Sequence, residues 1–209
     1  MRYALLIAAV ILAGAQVAAQ SGGVAQGTPL AVDQVSPASV EDIRRRVGQQ
    51  RAVDLAEKAI AELQTTLVGR LKAELGKGGP PAAVAVCRDE AQQLTASIGA
   101  THGLEMGRTS DRVRNPANTP RSWAATYVAS WAGARAADAQ PAVFELSGGR
   151  VGVLRPIGTM DLCVMCHGPR EAVQATIGDV LKTSYPDDRA VGFAPGDLRG
   201  WFWVETEAK

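Results

Sequence analysis

Cys163-Val164-Met165-Cys166-His167 is a C-x-x-C-H run, the spacing of c-type haem attachment. Each sulfur can add to a haem vinyl group, giving two thioethers. The histidine that follows is then placed to ligate the iron. A thioredoxin-type redox pair expects a βαβ context, which the flanking residues lack. A zinc site expects a second ligand pair, and outside the motif only Cys87 and His102 remain. The run therefore points to one covalent haem c, held by Cys163, Cys166 and His167.

The iron's opposite face has few candidate ligands: Cys87, His102, Met106 and Met160. His102 stands in a Gly-flanked loop and reads as a solvated side chain. Met160 lies too near the motif to reach the far face easily. Cys87 falls in the stripe Val84, Cys87, Ala91, Leu94, Ile98, spaced three and four apart, so it sits on the apolar face of a helix. A buried free thiol behaves as a small hydrophobe. By residue type alone, Cys87 is either core filler or a ligand.

The compartment gives the thiol more meaning. Residues 1–19 have Arg2, an apolar run from Ala4 to Ala15, and Val17-Ala18-Ala19. This is the layout of a secretory signal peptide cleaved near Gln20. The apolar part is short for a bilayer span, so no stable membrane insertion is expected after cleavage. The periplasm is the expected location, and it is kept oxidising. Three cysteines cannot all pair, so each sulfur needs its own account.

The chain has 209 residues, 46% of them hydrophobic, with 22 basic and 21 acidic side chains. That is enough for one cored domain without disulfide staples. Loss of Arg2 with the signal leaves a neutral protein. The balance excludes a nucleic-acid partner and offers no field for electrostatic steering.

The elements that must position the motif follow from periodicity. Residues 20–38 read as a flexible leader, and 39–209 as the haem domain. Ser36-Pro37 reads as a helix start. The stripe Ile60, Leu63, Leu67, Leu71, Leu75 extends that helix until Gly76–Gly79 end it. Pro80-Pro81 opens a second helix to about Ile98. Residues 99–121 read as irregular, with Pro116 and Pro120 breaking any helix. A third helix is expected over 123–137. AVFEL and VGVLRPI flank Ser147-Gly148-Gly149-Arg150 as a hairpin. A short helix over 170–182 follows the motif, and LRGWFWVETE reads as a closing strand. Helices first and antiparallel strands later make the fold α+β. Trp201 and Trp203 share one face of that strand, walling either the haem pocket or the sheet core.

Several longer strings sit around the motif: VCRDEA at Cys87, GRTSDRVRNPANTP at 107–120 with Trp123, LRPI, DLCVMCHG, YPDDRAVGF and GDLRGWFWV. Their order over residues 55–206 resembles an exported c-type haem family of largely unassigned function. That family also forms the sensor portion of some bacterial signalling proteins. The resemblance implies a PAS-like antiparallel sheet packed with long N-terminal helices. It also implies His167 and Cys87 as the two axial ligands. Haem carries two propionates, and Arg108, Arg112, Arg114 and Arg121 form the densest arginine group. Guanidinium forks suit carboxylates, and Arg108 and Arg114 lie within the resembling strings. Asn115 and Asn118 read as turn formers.

These readings imply a periplasmic mono-haem protein, not an enzyme, acting as a redox- or ligand-responsive sensor-type domain. Its partners would be haem and either a redox protein or a small diatomic ligand. The alternatives are a simple electron-transfer cytochrome or, less readily, a peroxidase-like enzyme.

Overall fold

The computed structural model describes residues 40–208. The expected signal peptide, leader and Ser36-Pro37 helix start lie outside them. Among the described residues, no helix is long and apolar enough to cross a membrane.

Helix α1 spans Val40–Ala85. Ala52, Ala56, Ala59, Ile60, Leu63 and Leu67 are its buried stripe, three and four apart as an amphipathic helix requires. Its helical geometry breaks at Gly78 and Gly79, the latter at φ +67°. The expected stop therefore lies where the glycines are, and Pro80-Pro81 restarts the helix. A π-helical turn, Val86–Glu90, follows and closes with the Ala91 N–H on the Val86 carbonyl. Helix α2 then runs Ala91–His102 and ends at Gly103 in the left-handed conformation.

Strand β1 (Glu105–Thr109) comes next, inside a segment expected to be irregular. It has only five residues and a glycine in the middle. What makes it a strand is its antiparallel pairing with the ten-residue strand β4 (Leu198–Glu207). Helix α3 spans Ser122–Ser130, shorter than expected. Turns follow it, with Gly133 at φ +76° and the Ala134 N–H donating to the Trp131 carbonyl. Strands β2 (Ala142–Leu146) and β3 (Arg150–Gly158) form the expected hairpin, its turn carried by Gly148 and Gly149 at positive φ.

The sheet order is β1-β4-β3-β2, all antiparallel. This confirms α+β. The pleat sends alternate residues to opposite faces. Val151, Val153, Phe202 and Val204 join the α1/α2 core. Leu154 and Trp201 join the core under α3. The motif lies in a short helix α4 (Val164–His167), followed by α5 (Arg170–Ser184). The inner side of α5, Val173, Ile177 and Leu181, packs against Val84 near the end of α1.

Candidate haem site

A cavity of about 440 Å³ lies between the late turns of α1, the α1/α2 face of the sheet and the motif segment. That size suits a small-molecule or cofactor site. Leu67, Leu71, Val84, Ile157 and Phe202 give it apolar walls. Cys87, Cys163, Cys166, His167, Arg108 and Arg114 all line it. Six residues spread over 80 positions of sequence are thus gathered on one space.

The motif is fixed by backbone bonds rather than by its own four-residue helix. The Cys163 N–H donates to the Met160 carbonyl, and the Gly168 N–H to the Val164 carbonyl. The loop after α5 clamps it from outside: Gly192 N–H donates to the Gly168 carbonyl at 2.7 Å and Phe193 N–H to the His167 carbonyl at 2.9 Å. A Cβ at Gly168 would collide with the Val164 carbonyl oxygen, so glycine is required where the chain leaves the motif.

His167 Nδ1 lies 2.7 Å from the Ala190 carbonyl. A carbonyl only accepts, so Nδ1 carries the proton and Nε2 keeps its lone pair, the arrangement a metal-ligating histidine needs. Burial first, then the Arg199 and Arg114 guanidiniums, hold the imidazole pKa well below its ordinary value. The ring is neutral. Ala190 is itself held, because its N–H donates to Asp188 Oδ1 at 2.8 Å. Asp188 Oδ2 accepts from Arg114, and the Arg114 Nη2 also donates to the Cys166 carbonyl at 2.6 Å. Arg114 thus braces the motif and its histidine from one buried ion pair. Its guanidinium is committed to those contacts.

Cys163 and Cys166 are half-buried free thiols. Burial raises both, Cys166 to about 11, so both are neutral. Cys87 is also a half-buried free thiol. It sits in the π-helical turn, where the extra residue re-aims side chains relative to a regular helix. The turn is anchored by Glu90, whose two oxygens accept from Arg70 at 2.8 Å each.

The other candidates are placed elsewhere. His102 sits 2.8 Å from Glu62 and does not line the cavity. Met106 is buried in the α1/α2 core. Met160 lines the cavity but is 40% exposed. Arg121 bonds Glu205 and Glu105, and Arg112 lies over the Phe193 ring. Asn115 Oδ1 caps Ala117 N–H as an Asx turn, whereas Asn118 Oδ1 accepts from Gln92. None of the four tryptophans lines the cavity; Trp201 and Trp203 pack on the α3 face. Sequence reasoning passed over Arg199 and Tyr185, both on the cavity wall. Arg199 is the one charged residue in the aromatic stretch LRGWFWV, and that contrast was its signal.

The site is a mostly apolar cavity in an α+β domain, lined by a tautomer-fixed imidazole, three thiols and three arginines. The Tll0287-like family model matches residues 30–206, and the chain belongs to that family. The crystal structure of the cyanobacterial haem protein Tll0287 is similar at 25% identity and a TM-score of 0.56. The likeness covers 81% of this chain and 97% of that one. No curated protein matches.

Proposed function

We propose that this chain is an exported, periplasmic haem-binding protein with one covalent haem c, acting as a redox- or ligand-responsive sensor-type domain and not as an enzyme. The observation that carries the reading is that Cys163, Cys166, His167 and Cys87 line one apolar cavity. Membership of a family that includes a haem protein supports it. The residues present fit the group: two thiols for the vinyls, an imidazole with a free Nε2, and guanidiniums to face carboxylates. When bound, haem would supply one-electron redox chemistry.

The chain's own residues divide that work. Cys163 and Cys166 tether the ring edge. His167 would hold the iron through Nε2, its ring oriented by the Nδ1 hydrogen bond to the Ala190 carbonyl. Cys87, in the π-helical turn, would hold the iron as a thiolate, and its negative charge would favour the oxidised metal. Two protein ligands leave no open coordination position, which argues against catalysis. Cys87 would be the side chain that answers a change in the iron's charge, because a thiolate released from the metal would be a base able to hold a proton at Sγ. The PAS-like reading of the domain rests on its antiparallel sheet with a ligand cavity beneath one face.

The test is production of the full chain with c-type haem maturation. One haem should survive denaturation and stay on the polypeptide in acidified organic solvent, and Cys163→Ala with Cys166→Ala should abolish that retention. Haem that extracts from the unsubstituted protein overturns the covalent reading. N-terminal sequencing of periplasmic material should begin near Gln20. Cys87→Ser should turn the ferric spectrum high-spin or recruit a new ligand with a raised potential; an unchanged spectrum and potential would leave Cys87 as core filler.

A further inference from the structure

Three guanidiniums converge on the cavity, and only one has a carboxylate. Arg114 is paired with Asp188. Arg108 stands on β1 directly opposite Phe202 of β4, on the cavity face of the sheet. Its Nε is buried without a hydrogen-bond partner. Arg199 stands just before Gly200, beside the register shift of β3 against β4. Its one hydrogen bond is a long 3.5 Å contact to the Arg112 carbonyl, and its guanidinium carbon lies 5.1 Å from the Phe193 ring centroid. Among the described residues, no carboxylate pairs with either. Burial, then the like charges of Arg114 and Arg108, push Arg199 down to about 10. Arg108 is lowered too, chiefly by burial. Arg199 stays charged at neutral pH, and a guanidinium such as that of Arg108 is not deprotonated in proteins.

Two unpaired cations within one apolar-walled space are costly. A ligand bearing two anionic groups removes that cost. We propose that Arg108 and Arg199 form a clamp for two carboxylates on one edge of an amphipathic ring, which on the haem reading above are the two propionates. The charges close: two guanidiniums against two carboxylates. A Cys87 thiolate alone would leave one cation over. The nearby arginines are otherwise engaged, Arg114 by Asp188, Arg112 by the Val191 carbonyl and Phe193 ring, and Arg121 by Glu205. The clamp therefore differs from the sequence expectation in its second member, Arg199 in place of Arg114. Arg114 becomes a positioning residue for the motif.

The clamp is separable from the tether. The full mature chain carrying Cys163→Ala and Cys166→Ala is titrated with ferric haem and with its dimethyl ester, which keeps the ring and removes both charges. The diacid should bind at least about tenfold more tightly, the equivalent of one charge-assisted hydrogen bond. Arg199→Gln or Arg108→Gln should shrink that preference to about twofold, while Arg199→Lys retains part of it. Equal affinity for diacid and diester overturns the clamp. A preference that survives Arg108→Gln while the thiolate spectrum shifts overturns the role of Arg108 and makes it a partner of Cys87. In the covalently loaded protein, the propionate bending bands in resonance Raman should move in both Gln variants; unmoved bands overturn the proposal without relying on the untethered chain. Failure of the unsubstituted protein to take any haem would sink the haem reading itself, a result distinct from all of these.

Discussion

The two faces of the sheet are built from alternate residues of the same strands, yet they end as opposites. On the α3 face, Trp201 sits 5.4 Å from Tyr127 and 6.4 Å from Trp131, and Phe144 lies 5.3 Å from Trp123. Glycines make room for these rings: a Cβ at Gly107 would collide with the Trp203 indole, and one at Gly152 would press on Trp123. On the α1/α2 face the middle of the sheet is equally dry, with Val151, Val153 and Val204. Towards the motif, however, the same face carries Arg108 and opens into the cavity. Aromatic rings complete a face by contact with each other. The second face instead leaves the Arg108 Nε without a hydrogen-bond partner. Both faces bury a core, but only the second also opens into the cavity.

Trp201→Ala tests that division with the largest expected effect. It empties a fully buried indole site and should cost about 3–5 kcal/mol, read by denaturant unfolding. The haem absorption bands of the folded protein should not move. A shifted ferric spectrum would show that the two faces are coupled.

Asp188→Asn probes the opposite case. It removes the charge from a pair whose side chains are 7% and 9% exposed, at a cost of about 3 kcal/mol. Here the spectrum should change as well, because Asp188 holds the Ala190 N–H and Arg114 holds the Cys166 carbonyl. A loss of stability with an unperturbed iron spectrum would show that the His167 ring is oriented by other contacts. Gly168→Ala should act more weakly in the same direction, about 2 kcal/mol for the forced shift against the Val164 carbonyl. Its marker is broadened low-spin signals in the ferric EPR spectrum.

How much of this was readable in the chain depended on range. The C-x-x-C-H run is local chemistry, and its Cys163, Cys166 and His167 line the cavity together. The hairpin at Gly148-Gly149, the helix restart at Pro80-Pro81 and α5 carry local signals and formed close to where they were expected. β1 has no such signal, since five residues around Gly107 become a strand only by pairing with β4. The end of α3 near Ser130 was hidden for a related reason. The chain leaves the helix through Gly133 at φ +76°, and its continuation pairs by backbone with a distant segment, the Leu198 N–H donating to the Ala134 carbonyl. The site shows the same limit. Arg108 and Arg114 were legible as arginines of the site and Arg199 was not; nor was it visible which would be neutralised, because Asp188 lies 74 positions from Arg114. The π-helical turn at Cys87 has no periodic signature at all.

The smallest effect expected is on the packed face and is set by pH. Glu205 is a buried carboxylate whose oxygens accept from Arg121 at 2.8 Å, Arg150 at 2.7 Å and the Trp123 indole N–H at 2.8 Å. Burial pushes its pKa up, but the bonds and charges of Arg121, Trp123 and Arg150 outweigh it, and the net shift is downward. A carboxylate lowered in the folded state contributes stability above its unfolded pKa of about 4.3, and that contribution is lost as pH falls through the folded value. Both arginines are about 40% exposed, so solvent screens much of the attraction. Glu205→Gln should therefore cost only about 1 kcal/mol at pH 7, read from the urea midpoint. The gap between variant and native protein should close as the pH is lowered below about 4. The haem bands should be the same in both, because this network lies on the face away from the cavity. A gap that stays constant down to pH 3 would mean that the carboxylate acts by shape and neutral hydrogen bonding rather than by charge. The α3 face would then be held by packing and neutral hydrogen bonds, with no contribution from the charge.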